Sequence, residues 1–191
     1  MTTNLGAGPD AMRSTLLGPL RGTVLELGPG RGVNLPFYAP QVRWIGIEPD
    51  AGNRERTRRA AERLGRRALV LPGRGERIEL PDGFADATVA TFVLCSVDDP
   101  DAVLAQLHRV LRPGGKYVFG EHVAASPGSW VRRGQDVWAL FTRRFSSCRP
   151  NRDSEAAIAR AGFDVVESRH YTLPGPLGVP VPHIAGTAVR S

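Results

Sequence analysis

Cysteine is scarce in this chain: of 191 residues only Cys95 and Cys148 carry a thiol. Two cysteines cannot build a disulfide framework and suit a reducing compartment, so a cytoplasmic protein is expected. Long apolar runs are missing as well, and no stretch approaches the roughly 20 residues a membrane span requires. The first eleven residues lack a basic segment followed by an apolar one, so neither a secretion signal nor a membrane anchor is expected. Lysine is nearly absent: Lys116 stands alone among 25 basic residues. Against 19 acidic residues the net charge is +6, with a pI of ≈ 10.3. That balance raises the question of a nucleic-acid partner. Yet the densest arginine run, 54–67, is interleaved with Glu55, Ala60, Ala61, Glu62 and Leu64 and has no aromatic residue on which a base could stack. It reads as a solvated helix face, and no nucleic-acid partner is expected. No metal site is expected either, and the oligomeric state is left open.

What is present fits an ordinary globular protein: 41% hydrophobic and 23% charged residues. One domain over 1–191 is expected, with 1–21 a short Gly- and Pro-punctuated segment holding a helix near 12–17. Thr23–Leu27 reads as a buried strand that ends in the glycine turn 28–32, and a short helix follows over 33–38. Strands are expected over 42–48, 68–71, within 84–94, and over 116–121. Asp50 caps a helix that runs to about Leu64. Val103, Leu104, Leu107, Val110 and Leu111 fall at helix spacing within 100–111, and Arg112-Pro113-Gly114-Gly115 stops that helix. Helices over 129–145 and 153–161 precede two closing strands, 163–170 and 184–190. These two have no helix between them and form a hairpin. Strand–helix alternation therefore predicts an α/β protein: a Rossmann-like doubly wound, mostly parallel seven-stranded sheet with an antiparallel last strand and helices on both faces.

The densest motif is Glu26-Leu27-Gly28-Pro29-Gly30-Arg31-Gly32. Its glycines let the chain turn at the carboxyl end of a strand and let a ligand approach the backbone. Glu48, at the tip of the next strand, can accept hydrogen bonds from both hydroxyls of a ribose. A nicotinamide enzyme would use G-x-G-x-x-G to hold a pyrophosphate. Here Gly32 comes one position early and Val33 stands where that pattern wants glycine. Glu26 places negative charge near the turn, which suits a ligand bearing cations better than a pyrophosphate. S-adenosyl-L-methionine, with an ammonium and a sulfonium, meets that demand. A glycine turn without a ligand is the bland alternative. Asn34, Pro49 and Thr91 complete the cofactor-lining set expected around Glu26, Gly28, Gly30, Gly32 and Glu48.

From about Thr23 onward the chain resembles the class I methyltransferases. More closely, it is similar to the methyltransferase-like protein 7 family and its small bacterial relatives. The residues that carry the likeness are Val24-Leu25-Glu26-Leu27-Gly28-Pro29-Gly30, Leu35-Pro36-Phe37-Tyr38, Glu48-Pro49, Phe92-Val93-Leu94-Cys95-Ser96-Val97, Arg109 to Gly115, Glu121-His122-Val123, Gly128-Ser129-Trp130, Asn151-Arg152-Asp153 and Pro182-His183-Ile184-Ala185-Gly186. The resemblance implies thiol S-methylation of small molecules, with S-adenosyl-L-homocysteine as the spent donor. It also implies that the stretch holding Gly75 and Glu76 faces the adenine, although Arg74 stands where an acidic residue is usual. The hydrophobic N-terminal segment that anchors the eukaryotic members is not seen here.

Acceptor residues are sought at the carboxyl ends of the fourth and fifth strands, where ligands bind in open sheets. His122 is the candidate proton acceptor or acceptor-orienting group, set against a plain loop hydrogen bond. Cys95 reads as a wall residue rather than a nucleophile, because direct transfer needs no covalent step. Trp130, Trp138 and Phe141 form either an apolar lid or core, and His183 reads as structural. The expected partner is a small-molecule acceptor, a thiol making a smaller demand than a hydroxyl, since a thiol is already partly ionised near neutral pH. N-, O- or C-methylation of a lipid, quinone or natural product, and a non-catalytic adenosyl-ligand sensor, are the competing readings. The Asn-Pro-Pro-Tyr signature of many base methyltransferases is absent.

Overall fold

Successive residues of a strand face opposite ways. In β1 (Thr23–Leu27) this sends Val24 and Glu26 to one side and Leu25 and Leu27 to the other. The computed structural model describes residues 9–142, 148–175 and 179–191. Around β1 it builds one seven-stranded sheet from β2 (Arg43–Ile47), β3 (Leu69–Leu71), β4 (Ala85–Thr91), β5 (Leu111–His122), β6 (Phe163–Pro174) and β7 (Pro180–Arg190), in the order β3-β2-β1-β4-β5-β7-β6. β1, β2, β3, β4 and β5 pair in parallel. β7 runs antiparallel to both neighbours, β5 and β6, so the last strand alone is reversed, as its hairpin connection requires. This is the doubly wound arrangement that the strand–helix alternation predicts.

Helices cover both faces. α1 (Pro9–Leu17) and α2 (Ala51–Arg63) lie on the side of Val24, where Met12, Leu16, Leu17, Tyr38, Trp44 and Ala61 pack together. α3 (Pro100–Val110) and α5 (Ser154–Arg160) lie on the side of Leu25, with Val103, Leu104, Leu107 and Ile158 in that core. Aspartates start three of the helices. Asp50, Asp99 and Asp153 each accept the backbone N–H three residues on, satisfying one of the open donors of the first turn. Among the described residues no helix is long and apolar enough to cross a membrane.

Several boundaries differ from the sequence reading, each for a physical reason. The short helix after the glycine turn shrinks to one 3-10 turn, Leu35–Phe37. β5 begins at Leu111, directly after α3, and absorbs the Arg-Pro-Gly-Gly stop as an irregularity opposite Ala85 and Ala87. Gly114, at φ +70°, makes that reversal. β6 and β7 run past β5 and take in Pro174, Pro180 and Pro182. Those prolines are tolerated because Pro174 lies on the edge strand β6, and Pro180 and Pro182 lie beyond His183, where the β5–β7 ladder ends. The helix expected over 129–145 is α4 (Trp130–Thr142); residues 143–145 lie outside the described residues. In the arginine-rich α2, Arg59 and Arg58 pair with exposed Glu55 at 2.9 and 3.8 Å, and Arg58 also donates to the Val70 carbonyl.

Candidate active site

In the sheet order, β1 lies between β2 and β4, so the chain winds outward in opposite directions from it. Ligands of open α/β sheets bind at the carboxyl ends beside such a point. The glycine turn occupies it. Gly28 and Gly30 sit at φ +62° and +58°, conformations that a side chain would strain. The Gly28 N–H donates to the Ile47 carbonyl at 2.8 Å and ties the turn to β2. Among the described residues a Cβ on Gly30 would meet nothing nearer than 4.0 Å, so the backbone there faces open space, whereas a Cβ on Gly28 would strike Val93 at 2.9 Å.

The turn and the carboxylate at the tip of β2 come together. Glu48 Oε2 accepts the Gly30 N–H at 3.0 Å, and Oε1 accepts the Asp50 N–H at 3.1 Å. Each oxygen accepts one bond in this set, which leaves lone pairs for a diol. Thr57 closes the arrangement from α2, donating its hydroxyl to the Gly30 carbonyl at 2.8 Å. Pro49 is exposed beside Glu48.

Glu26 is placed differently from its expected role as a cofactor contact. It is 1% exposed, and its carboxylate accepts bonds from Asn34 Nδ2 at 2.9 Å, Tyr38 Oη at 2.8 Å and Trp44 Nε1 at 2.8 Å. Burial pushes its pKa up, while the three donors pull the other way. The strand alternation explains the position: Glu26 shares the Val24 face and points into the α1–α2 layer. Asn34 is fully buried too. It donates to both Glu26 and Thr91 Oγ1 and accepts from Arg13. Glu26, Asn34 and Thr91 thus brace the turn from below. Gly32 and Gly75 serve packing: a Cβ would strike Leu35 at 2.8 Å in the first case and Leu27 at 2.6 Å in the second. Glu76 accepts the Asp98 N–H at 3.3 Å and lies 3.7 Å from Arg74, so it ties its own loop to the one that follows β4.

A second centre forms where β4 and β5 end. Phe92, directly after β4, holds φ +58°, the one non-glycine residue described with positive φ. The backbone N–H groups of Val93, Leu94 and Cys95 then all reach the buried carboxylate of Glu121, at 2.9, 3.0 and 3.3 Å. Desolvation lifts the Glu121 pKa to about 7 against the pull of those donors. His122 follows Glu121. Its Nδ1 lies 3.4 Å from Cys95 Sγ and 3.7 Å from Cys148 Sγ. The Cys95 thiol, hydrogen-bonded to Cys148 and buried, is pushed up, whereas the same bond and His122 draw Cys148 down. The His122 ring packs against Phe92 and His183, with centroids 4.9 and 4.7 Å apart. His183 Nδ1 is 2.7 Å from the Val181 carbonyl, in keeping with a structural role.

His122 and Cys148 open onto an almost wholly apolar pocket of ≈ 340 Å³. One side is α4, through Val131, Gly134, Gln135 and Trp138, a single helix face. The other is Val179, Pro180 and Val181 at the start of β7. Trp138 therefore takes the wall position expected of Trp130, which lies just off that face and is 66% exposed. The side chain of Phe141 lies outside the described residues. Gln135 fixes α4: it accepts the Ala125 N–H and donates to the Val123 and Pro150 carbonyls, all within 3.0 Å. Sequence reasoning missed Cys148, Gln135 and the arginines that staple the two loops. Arg152 donates to the Leu94 carbonyl, and the Arg149 N–H donates to the Cys95 carbonyl at 2.5 Å. The Asn151-Arg152-Asp153 segment was the signal that could have found them.

A methyltransferase-domain family matches residues 9–168. The human thiol S-methyltransferase TMT1A is 36% identical over 176 residues, covering 88% of this chain and 70% of its own length. Human thiol S-methyltransferase TMT1B is 38% identical over 174 residues, covering 87% and 70%. Among solved structures, a putative methyltransferase from Bacillus halodurans superposes with a TM-score of 0.77 at 16% identity, covering 94% of this chain and 96% of its own.

Proposed function

The chain belongs to the methyltransferase-domain family, and from that premise we propose that it is an S-adenosyl-L-methionine-dependent methyltransferase whose acceptor is a small thiol. The observation that carries the donor half is the Glu48 carboxylate held under the Gly30 N–H, beside a glycine that no described side chain covers. Glu48 would take the ribose hydroxyls, and Gly28 and Gly30 would let the amino-acid part lie against the backbone. Bound there, the donor supplies an electrophilic methyl group on a sulfonium.

The rest of the work falls to the chain itself. A methyl transfer needs the acceptor atom held in line, close, and away from water. The apolar pocket does both, because Trp138, Val131 and Val181 exclude water while leaving one polar end at His122 and Cys148. Its ≈ 340 Å³ sits at the small end of ligand sites, which favours a small acceptor over a polymer. His122 orients the acceptor at that end and takes up its proton. A thiol asks least of such a site, since its pKa of ~8.5 leaves it partly ionised at neutral pH. Among the described lining residues there is no strong base of the kind a hydroxyl demands.

Calorimetry with S-adenosyl-L-homocysteine, followed by turnover of a panel of thiols, phenols and amines, tests this. Wild-type protein is expected to bind the nucleoside, Glu48→Ala to lose at least tenfold in affinity, and thiols to be methylated first. Unchanged binding by Glu48→Ala would overturn the donor assignment. Turnover of amines but not thiols would overturn the acceptor assignment, and binding with no turnover would make the protein a sensor.

A further inference from the structure

Three soft donor atoms converge from separate segments of the chain: Cys95 after β4, His122 at the end of β5, and Cys148 ahead of α5. We propose that Cys95, His122 and Cys148 form a site for a divalent metal ion of the zinc class, with a fourth position open to the apolar pocket, where the acceptor thiol enters as a ligand. The second half of the proposal rests on the thiol reading above.

The two nitrogen–sulfur spacings are those of a coordination tetrahedron. With Zn–S of about 2.3 Å and Zn–N of about 2.0 Å, a tetrahedral ion sets nitrogen and sulfur ligands about 3.5 Å apart and two sulfurs about 3.8 Å apart. His122 Nδ1 lies 3.4 and 3.7 Å from the two sulfurs, and all three donor atoms fall within 4.8 Å of one another. Two thiolates and one imidazole make a donor set that zinc favours over magnesium or calcium. Three protein ligands with one vacant corner is the pattern of a reactive rather than a purely structural zinc. The vacant corner has a direction. Cys95, 2% exposed, closes the inner end, while His122 and Cys148 line the pocket.

The donors are also held in place. Glu121 fixes the Cys95 backbone, the Arg149 N–H bonds the Cys95 carbonyl, Arg152 bonds Leu94, and Phe92 and His183 fix the plane of the His122 ring. With the ion bound, His122 is a ligand in place of the proton-accepting role described above, and the acceptor proton goes to water. On entry the thiol S–H bond breaks and its sulfur binds the ion. In transfer a sulfur lone pair forms the new S–C bond while the donor's C–S bond breaks, its electron pair staying on the donor sulfur. The ion stays divalent throughout, and the neutral thioether product, a weaker ligand than a thiolate, leaves.

The test uses full-length protein stripped with a chelator in a thiol-free phosphine reductant and reloaded with Co²⁺ or Zn²⁺. Bound metal is measured by atomic emission and the cobalt form by absorption. About one ion per chain is expected, with visible bands of a tetrahedral site and thiolate-to-cobalt charge transfer in the near ultraviolet. Cys148→Ser, at a half-buried position, and Cys95→Ser should each lose more than the roughly 100-fold that removal of an outer-shell partner can cost. Circular dichroism checks that both are folded. Thiophenol should strengthen the charge-transfer band; an unchanged spectrum would overturn the open fourth position. No stoichiometric uptake, uptake undiminished in both variants, or a Cys95–Cys148 disulfide forming instead would overturn the site. If the stripped protein methylates thiols at full rate, the metal proposal falls and the thiol reading stands. If the bands form as expected but no thiol is turned over, the thiol reading falls with the substrate role, and the metal site stands.

Discussion

A carboxylate with three side-chain donors aimed at it cannot be exchanged for its amide without loss. Asn34, Tyr38 and Trp44 all donate to Glu26, so Glu26→Gln turns an NH₂ group toward at least one of them. The expected result is about 1–3 kcal/mol of lost stability, the penalty of an unsatisfied buried donor, with the fold retained. Chemical denaturation measures it; an unchanged midpoint would show that the network is slack. At this scale the sequence was partly legible. Gly28, Gly30 and Glu48 belong to one strand–helix–strand unit, so local spacing places them together. Glu26 was misread because proximity to the turn outweighed strand alternation, which sends it to the opposite side from Leu25 and Leu27. Cys148 was not legible at all, since its contact with His122 is made by tertiary packing across α4 and no spacing rule reports it.

Between elements, Asp86 does the joining at the amino end of the sheet. It accepts the Thr23 N–H at 2.8 Å and the Arg112 Nε at 2.8 Å, tying β4 to the starts of β1 and β5. The Thr23 N–H, then Arg112, hold its pKa below the usual 3.8. A carboxylate lowered in the folded state adds stability above its unfolded value and loses it as pH falls through the folded value. Asp86→Asn should therefore cost ~1 kcal/mol at pH 7, less than the full value of a hydrogen bond to a charged group because solvent screens this half-exposed carboxylate, with the deficit shrinking as the pH drops below about 3.8. Urea midpoints across a pH series check it, and a deficit constant with pH would contradict the ionic origin. Most elements were legible from caps and periodicity. The edges that were not, at 111–115 and 174–182, are places where sheet pairing overrides proline and glycine signals.

On the scale of the whole molecule, both apolar layers pack on one sheet, so they should melt together. A single thermal transition is expected. S-adenosyl-L-homocysteine at about 100 times its Kd should add ~2.7 kcal/mol. For a chain of this size that raises Tm by roughly 5–11 °C. Two separate transitions, or a shift confined to one of two, would show that the layers unfold independently. The mostly parallel sheet and its reversed last strand were readable because alternation and the missing final crossover leave few other windings.

The left-handed backbone of Phe92 has a consequence for how acceptors meet the pocket. By turning three successive N–H groups inward it makes a nest, the concave shape that captures anions in many proteins. Here the acceptor oxygens are supplied from within, by the carboxyl group of Glu121 on the adjoining strand. The loop bearing Cys95 thus has its N–H groups satisfied and needs no guest to order it. The floor of the pocket is finished before an acceptor arrives, and little of the binding energy is diverted to building it.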